Sequence, residues 1–291
     1  MSLTTLPTKA LTPLLTLFNN HRTLITGSAV CVAAVFGLSV LSDLIEDYNE
    51  WYELGPNGIP LNFFGYIAQK LATPLARTDV RDPIGPYDLA KMSKLYGPIV
   101  LTPFLDDMYH DVGEDGEAGL RRRPGERPVV PGYVGPHRQT TQKAPAAIRA
   151  KQDAFLHDLA AANPALFEVK PSSLEGPYFN AIWIKDSVPQ RDEIKHLHGE
   201  FAHPHGEGST HLVLSLADAA TAIEACWAER HRMSGVGNLI PWGFVMIYAP
   251  RDDDELEVWK MFIVVSARYA LGGETEVKMP SPASPKSSKK N

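Results

Sequence analysis

The sequence predicts an α+β domain, a single compact unit of mixed sheet and helix, preceded by an N-terminal transmembrane helix. Three observations carry this. Between residues 147 and 273, segments of period two and of period 3.6 succeed one another without a strict strand–helix–strand rhythm. Residues 23–42 form an uncharged apolar run. Hydrophobic residues make up 44% of the chain, enough to build a core and to exclude wholesale disorder.

Charge and cysteine content exclude other classes. Lys and Arg number 28 against 34 Asp and Glu, a formal charge of −6, so the basic face of a nucleic-acid binder is not expected. The two cysteines, Cys31 and Cys226, support neither a disulfide framework nor a Cys-rich zinc module.

Residues 1–22 form an N-terminal segment. The run Thr23–Ser42 is 20 residues long, and at about 1.5 Å per residue it spans a hydrocarbon core of roughly 30 Å. It is read as a single-pass anchor in the endoplasmic reticulum or another endomembrane. Lys9 and Arg22 before it and the acidic flank after it place the N-terminus in the cytosol. The lack of an Asn-x-Ser/Thr acceptor fits a cytosolic domain instead, which leaves the sidedness open.

Residues 43–110 read as a juxtamembrane helical region. Turn dipeptides at Gly55-Pro56 and Asn57-Gly58 precede an apolar helix opening at Asn62-Phe63-Phe64-Gly65-Tyr66, laid against the membrane surface. Residues 111–146 read as a flexible insertion. An acidic patch (Asp111, Glu114, Asp115, Glu117) leads to Arg121-Arg122-Arg123 and then to Pro124, Pro128, Pro131, Pro136 and Pro145, with no hydrophobic period. Residues 274–291 form a low-complexity, disordered tail.

Within the compact part, Ala147–Ala162 has helical spacing and ends at Asn163-Pro164. Leu166–Lys170 and Tyr178–Lys185 read as strands, and Glu193–His198 as a third candidate. His203–Thr210 is turn-rich. Thr210–Leu216 alternates, with Leu212, Leu214 and Leu216 on one face and His211, Val213 and Ser215 on the other. Asp218 is placed as the cap of a helix presenting Ala219, Ala222, Ile223, Cys226 and Trp227 and ending at His231. After a turn at Ser234–Asn238 comes a strand, Gly243–Tyr248, ended by Pro250. A last helix follows, acidic at Asp252–Asp254, with Leu256, Trp259, Phe262, Ile263 and Ala267 inward and Gly272 at its end.

The chemistry concentrates in histidine. Five of the ten fall within sixteen positions: His196, His198, His203, His205 and His211. Both H-x-H pairs put two imidazoles on one face of an extended strand, and His211 lies on the polar face of the neighbouring one. Such a set binds a transition metal, with Glu200 or Glu207 to complete it, or serves as hydrogen-bonding or proton-accepting groups without metal. His231 either joins the site or sits as a cation at a helix end. Tyr248 and Arg251 leave a strand end, where Arg251 clamps an anionic oxygen or pairs with Asp252–Glu255. Phosphate-loop, dinucleotide and nucleophile-elbow motifs do not occur in the sequence, so no flavin or nicotinamide cofactor is expected.

In order along the chain, Phe201-Ala202-His203-Pro204-His205, Ser209-Thr210-His211-Leu212, Cys226-Trp227-Ala228-Glu229-Arg230-His231 and Tyr248-Ala249-Pro250-Arg251 with Glu255 resemble the fungal luciferase family and its non-luminous relatives. Glu53-Leu54-Gly55-Pro56 and Asn62–Tyr66 behind an apolar segment are similar too. The resemblance covers about residues 51–70 and 193–272. Cys226 departs from the family's usual Gly, and Arg232 from the Pro that usually follows the histidine.

The resemblance implies that residues 147–273 are a luciferase-like catalytic domain, a flavin-independent oxygenase joining dioxygen to an enolic polyketide or styryl-pyrone metabolite. Luminous members add dioxygen to 3-hydroxyhispidin, and the peroxide loses carbon dioxide to leave an excited product. Light emission does not follow for this chain. Carried over, His203, His205 and His211 deprotonate the enol or hold a metal, Arg251 and Tyr248 steady the oxyanions, and Trp227 forms an aromatic wall. The implied partners are a small-molecule substrate, dioxygen and a membrane. Two other classes stay open: a tethered ligand- or metal-binding relative without turnover, and a His-dependent hydrolase or cyclase.

Overall fold

A computed structural model describes residues 16, 19, 21–108, 119–237 and 240–280. The chain forms two units, which divide between Glu53 and Leu54.

The first is one helix, α1 (Arg22–Glu53), of 32 residues and roughly 48 Å. Alanine, valine and leucine carry it through the apolar run. It continues eleven residues beyond the expected end at Ser42, because Asp43, Glu46 and Asp47 are no obstacle to helical backbone. Val32, Val35, Phe36 and Leu38 are each more than 65% exposed. Residues 26–53 are long and apolar enough to cross a membrane.

The second unit combines helices with one antiparallel sheet. The strands are β1 (Phe167–Pro171), β2 (Asn180–Ile184), β3 (Glu200–Pro204), β4 (Thr210–Val213), β5 (Ala228–Arg230) and β6 (Phe244–Ile247), in spatial order β1-β2-β3-β4-β6-β5. The helices are α2 (Phe63–Ala72), α3 (Leu89–Tyr96), α4 (Ala146–Ala162), α5 (Asp192–His196), α6 (Leu216–Glu224) and α7 (Asp253–Ala270).

One face of the sheet is closed by α4, packed on β1 and β2, and by α7, packed on β3 and β4. Leu212 is buried on this side. Thr210 accepts from the Trp259 indole at 2.7 Å, and Phe155 of α4 meets Trp259 edge-on at 6.0 Å. Residues at directly opposed positions share a face, so the register sets the other side as well. His203 opposes His211, His211 opposes Met246, and Met246 opposes Glu229. A single row thus runs across β3, β4, β6 and β5.

Several expectations are corrected. Glu193–His198 is no strand: Asp192–His196 form the one-turn helix α5, and Gly199 at φ +92° lets the chain re-enter the sheet as β3. His196 and His198 point to solvent. The stretch expected to be turn from His203 is strand up to Pro204. Its short turn brings His205 N within 2.7 Å of Ser209 O, and Gly208, at φ +101°, has a neighbour where a Cβ would stand 2.4 Å from that of Ala144. Ser215, not Asp218, caps α6. Asp218 instead accepts the buried backbone N–H groups of Phe104 and Leu105 at 3.2 and 2.9 Å. The helix ends at Glu224, the chain reverses at Cys226, and Glu229–Arg230 belong to β5.

Within the expected insertion, Asp111, Glu114, Asp115 and Glu117 lie outside the described residues. Residues 119–145 contain no helix or strand, yet they are not a surface appendage. Arg123 is 2% exposed and pairs with Glu255, while Tyr133, His137, Arg138 and Gln139 are buried. Arg127 donates to the carbonyls of Ile223 and Ala228. The start of the tail is tied down too, with Asn163 and Lys278 exchanging two hydrogen bonds of 2.8 and 2.9 Å. Residues 281–291, like 1–15, are outside the described residues.

Candidate active site

The row of opposed residues reaches the buried side of the sheet beneath residues 119–145. There five imidazoles meet: His137, His203, His205, His211 and His231. None is more than 8% exposed. His211 is central. Its ring lies 5.2 Å from that of His203, 4.5 Å from His205, 5.0 Å from His231 and 5.4 Å, stacked, from His137. Phe244 packs on His211 at 5.1 Å.

Carboxylates take the outward nitrogens. His203 Nδ1 lies 2.6 Å from Glu200, which also accepts from Ser172 Oγ at 2.6 Å and Ser173 N at 2.8 Å. His205 Nδ1 lies 2.9 Å from Ser209 Oγ, whose hydroxyl donates to Glu207. His137 Nε2 lies 3.1 Å from Glu229, and Tyr248 OH donates to the same carboxylate at 3.0 Å. Burial raises Glu200, Glu207 and Glu229, but these partners outweigh it. All three stay below the usual carboxylate range, Glu229 down to about 2 with Arg81 also beside it.

Ionised carboxylates only accept, so the network assigns the ring protons. His203 Nδ1 donates to Glu200, and His205 Nδ1 donates to Ser209, whose own proton is committed to Glu207. His137 Nε2 donates to Glu229, which leaves His137 Nδ1 to accept from His211 Nε2 at 3.1 Å. Burial first, and then the neighbouring rings, hold His211 well below its ordinary value; burial likewise lowers His205 against the pull of Glu175 and Glu207. The inward nitrogens His205 Nε2 and His211 Nδ1 therefore carry lone pairs, and His203 Nε2 points at the same place. His203 Nε2 and His205 Nε2 each stand 3.2 Å from His211 Nδ1. Glu175, from the loop between β1 and β2, presents one oxygen at 4.0 and 3.8 Å from His203 and His205, and its other oxygen binds Arg138 at 2.6 Å.

The remaining sequence candidates fall differently. His231 joins the cluster from the end of β5, not of a helix, and its Nδ1 accepts from Met233 N at 3.0 Å. Tyr248 reaches it only through Glu229. Arg251 binds Glu255 and the Pro124 carbonyl, which is the ion-pair alternative. Trp227 is no wall of this site: it packs on Phe262 and donates to the Arg121 carbonyl. Glu200 and Glu207 hold outward nitrogens rather than completing the inward set. A surface cavity of about 450 Å³ lies elsewhere, lined by Tyr96, Arg191 and His196.

Sequence reasoning missed His137, Glu175, Arg138 and the role of Glu229. The first three stand in segments without a period. Glu229 became visible only with the β5–β6 register.

Residues 192–266 match the family described as the Luciferase domain. The luciferase of Armillaria gallica is 24% identical over 83% of this chain and 87% of its own length; that of Neonothopanus nambi is 24% identical over 83% and 86%. The luciferase of Armillaria mellea is 35% identical over 28% of this chain and 32% of its own. No solved structure matches. Residues 192–266, which hold four of the five histidines, thus carry the luciferase-domain match, and the chain as a whole is similar to fungal luciferases along most of its length.

Proposed function

We propose that the protein is a membrane-anchored oxygenase that joins dioxygen to an electron-rich enol of the polyketide or styryl-pyrone class. One observation carries the reading: three buried imidazole nitrogens converge in a chain similar over most of its length to proteins named luciferase.

An enol ionises most readily where fixed acceptors await its proton and water is excluded. The enolate carbon then bonds to dioxygen, and return of the proton to the outer oxygen gives a hydroperoxide. Both oxygen atoms remain in the product and the substrate supplies the electrons, so flavin and nicotinamide do not enter the balance. The converging nitrogens of His203, His205 and His211 face the enol hydroxyl, as acceptors of its proton when free, or as the group that would hold a divalent ion. His231, its Nδ1 already accepting, keeps its proton on Nε2 as a donor to the developing oxyanion. Tyr248, Glu229 and His137 are positioning residues, since they act through His211. The rings are nearly sealed, so substrate enters by displacing irregular cover, and residues 119–145 are the candidate lid. An anchor at α1 holds the enzyme where apolar metabolites partition.

The test is oxygen uptake by the full chain in detergent micelles with styryl-pyrone enols and their O-methyl ethers. The expected result is one dioxygen consumed per enol, none with the ether, and a loss of about 10²- to 10⁴-fold in His211→Ala. Equal uptake by His211→Ala, or none by the wild type with any enol, would contradict the proposal.

A further inference from the structure

We propose that His203, His205, His211 and Glu175 hold one divalent first-row transition-metal ion. The inference deepens the reading above by naming the cofactor of that site, and it stands on separate observations.

The first is the proton count. His211 Nδ1 faces two other ring nitrogens at 3.2 Å, which suits hydrogen bonding only if a proton lies between. At most one proton could serve one of the two contacts, and the carboxylate relays have already drawn the protons to the far side of each ring. Lone pair against lone pair in a dry interior is repulsive unless a cation occupies the point between them.

The second is size. Nitrogens bound at 2.0–2.1 Å in a tetrahedral set stand roughly 3.3 Å apart, close to the two separations of 3.2 Å. Glu175 Oε1 is farther, but all four ligand atoms lie within 4.8 Å of one another. Arg138, fixed on the other oxygen and on the carbonyls of Leu54 and Pro56, holds that carboxylate in place.

The third is charge. Four carboxylates surround the rings. Glu175 and Glu229 are matched by Arg138 and Arg81, whereas among the described residues Glu200 and Glu207 have imidazoles, hydroxyls and a backbone N–H as direct partners. A divalent ion at the meeting point of the rings would be surrounded by these carboxylates. The imidazole–carboxylate relays are also the arrangement that orients metal-bound histidines and raises their basicity. A second grouping, His137, His211 and His231, does not compete. There His211 Nε2 carries the proton it donates to His137, and His231 Nε2 carries its own.

The experiment uses the full chain in detergent, stripped with chelator and reloaded in turn with Co(II), Fe(II) and Zn(II), with bound metal measured by mass spectrometry. The expected result is one ion per chain and visible absorption bands from the Co(II) form. His211→Ala and Glu175→Gln lose that ion. Glu200→Gln, which keeps the volume, binds about 10- to 100-fold more weakly. His196→Ala, exposed and outside the cluster, binds like the wild type. Near-ultraviolet circular dichroism checks folding of each variant. Failure of the folded wild type to take up any of the three ions overturns the site. So does retention of the ion by folded His211→Ala or Glu175→Gln. Oxygen uptake is not the readout, so stoichiometric metal without turnover supports the site while removing the oxygenase reading.

Discussion

On one side of the sheet, Thr210 and Leu212 lie beneath two regular helices, and almost every contact is apolar. One residue further along the same strands, His203 and His211 lie beneath a stretch with no helix or strand, and the contacts are polar and paired. Both sides are equally dry. What differs is how each offsets the cost of drying. The helical side relies on area, at roughly 25 cal/mol per Å² of apolar surface. The histidine side must match every donor with an acceptor, since a buried polar group left unpaired costs about 1–3 kcal/mol. Regular structure satisfies its own backbone and frees side chains for packing. Irregular chain can instead aim single groups, such as His137 and Arg138, at chosen points.

That contrast is broken most severely at Trp259, which fills the helical side and donates to Thr210. Trp259→Ala is expected to cost about 3–5 kcal/mol, read as a lowered urea midpoint. Catalysis per folded molecule should persist, which His211→Ala reverses. If Trp259→Ala abolished turnover while leaving stability intact, the division between the two faces would fail.

A smaller effect is expected at Asp218, which pins α6 to the backbone of Phe104 and Leu105. Asp218→Ala leaves two buried N–H groups without acceptors, at about 1–3 kcal/mol. Burial raises this carboxyl to about 6, above its value of 3.8 in the unfolded chain. A raised folded value means that the contribution is complete below 3.8 and is lost as pH rises through 6. The stability gap between wild type and Asp218→Ala should therefore widen from pH 7 to pH 5. A gap that narrows would show that the carboxylate, not the acid, is the favoured buried form.

The smallest effect is a gain. Cys226 sits at φ +63°, a left-handed position that costs a side-chain-bearing residue about 1–2 kcal/mol. The residue that the resemblance sets against a glycine is thus one whose backbone asks for glycine. Cys226→Gly should raise the melting temperature by a few degrees, and a lower one would show that burial of the thiol outweighs the strain.

Much of the fold was legible. The first half of the alternation expected over Thr210–Leu216, the periodic helices ending at Asn163 and Gly272, and the acidic start of α7 follow from local rules that the structure obeys, whereas Ser215 and Leu216 already cap and open α6. The helix expected through His231 failed because Cys226 is not a residue that announces a left-handed turn. The strand expected at Glu193–His198 failed because six residues are too few to separate period two from a single helical turn. At the site, His203, His205 and His211 were visible through their close spacing, His203 and His211 on strands and His205 one residue beyond β3. His137 and Glu175 were not, because spacing in irregular chain says nothing about direction. For Arg251 the two alternatives, an anionic oxygen or the acidic residues after it, differ only in reach, and Glu255, one turn later, satisfies it.

The convergence of unprotonated nitrogens is tested most directly by long-range proton–nitrogen NMR of the metal-free chain labelled with ¹⁵N at histidine. The network requires His211 to carry its proton on Nε2, and His203 and His205 to carry theirs on Nδ1. A proton found on His211 Nδ1 would mean that an ordinary hydrogen bond joins the rings, and the meeting point would have no need of a cation.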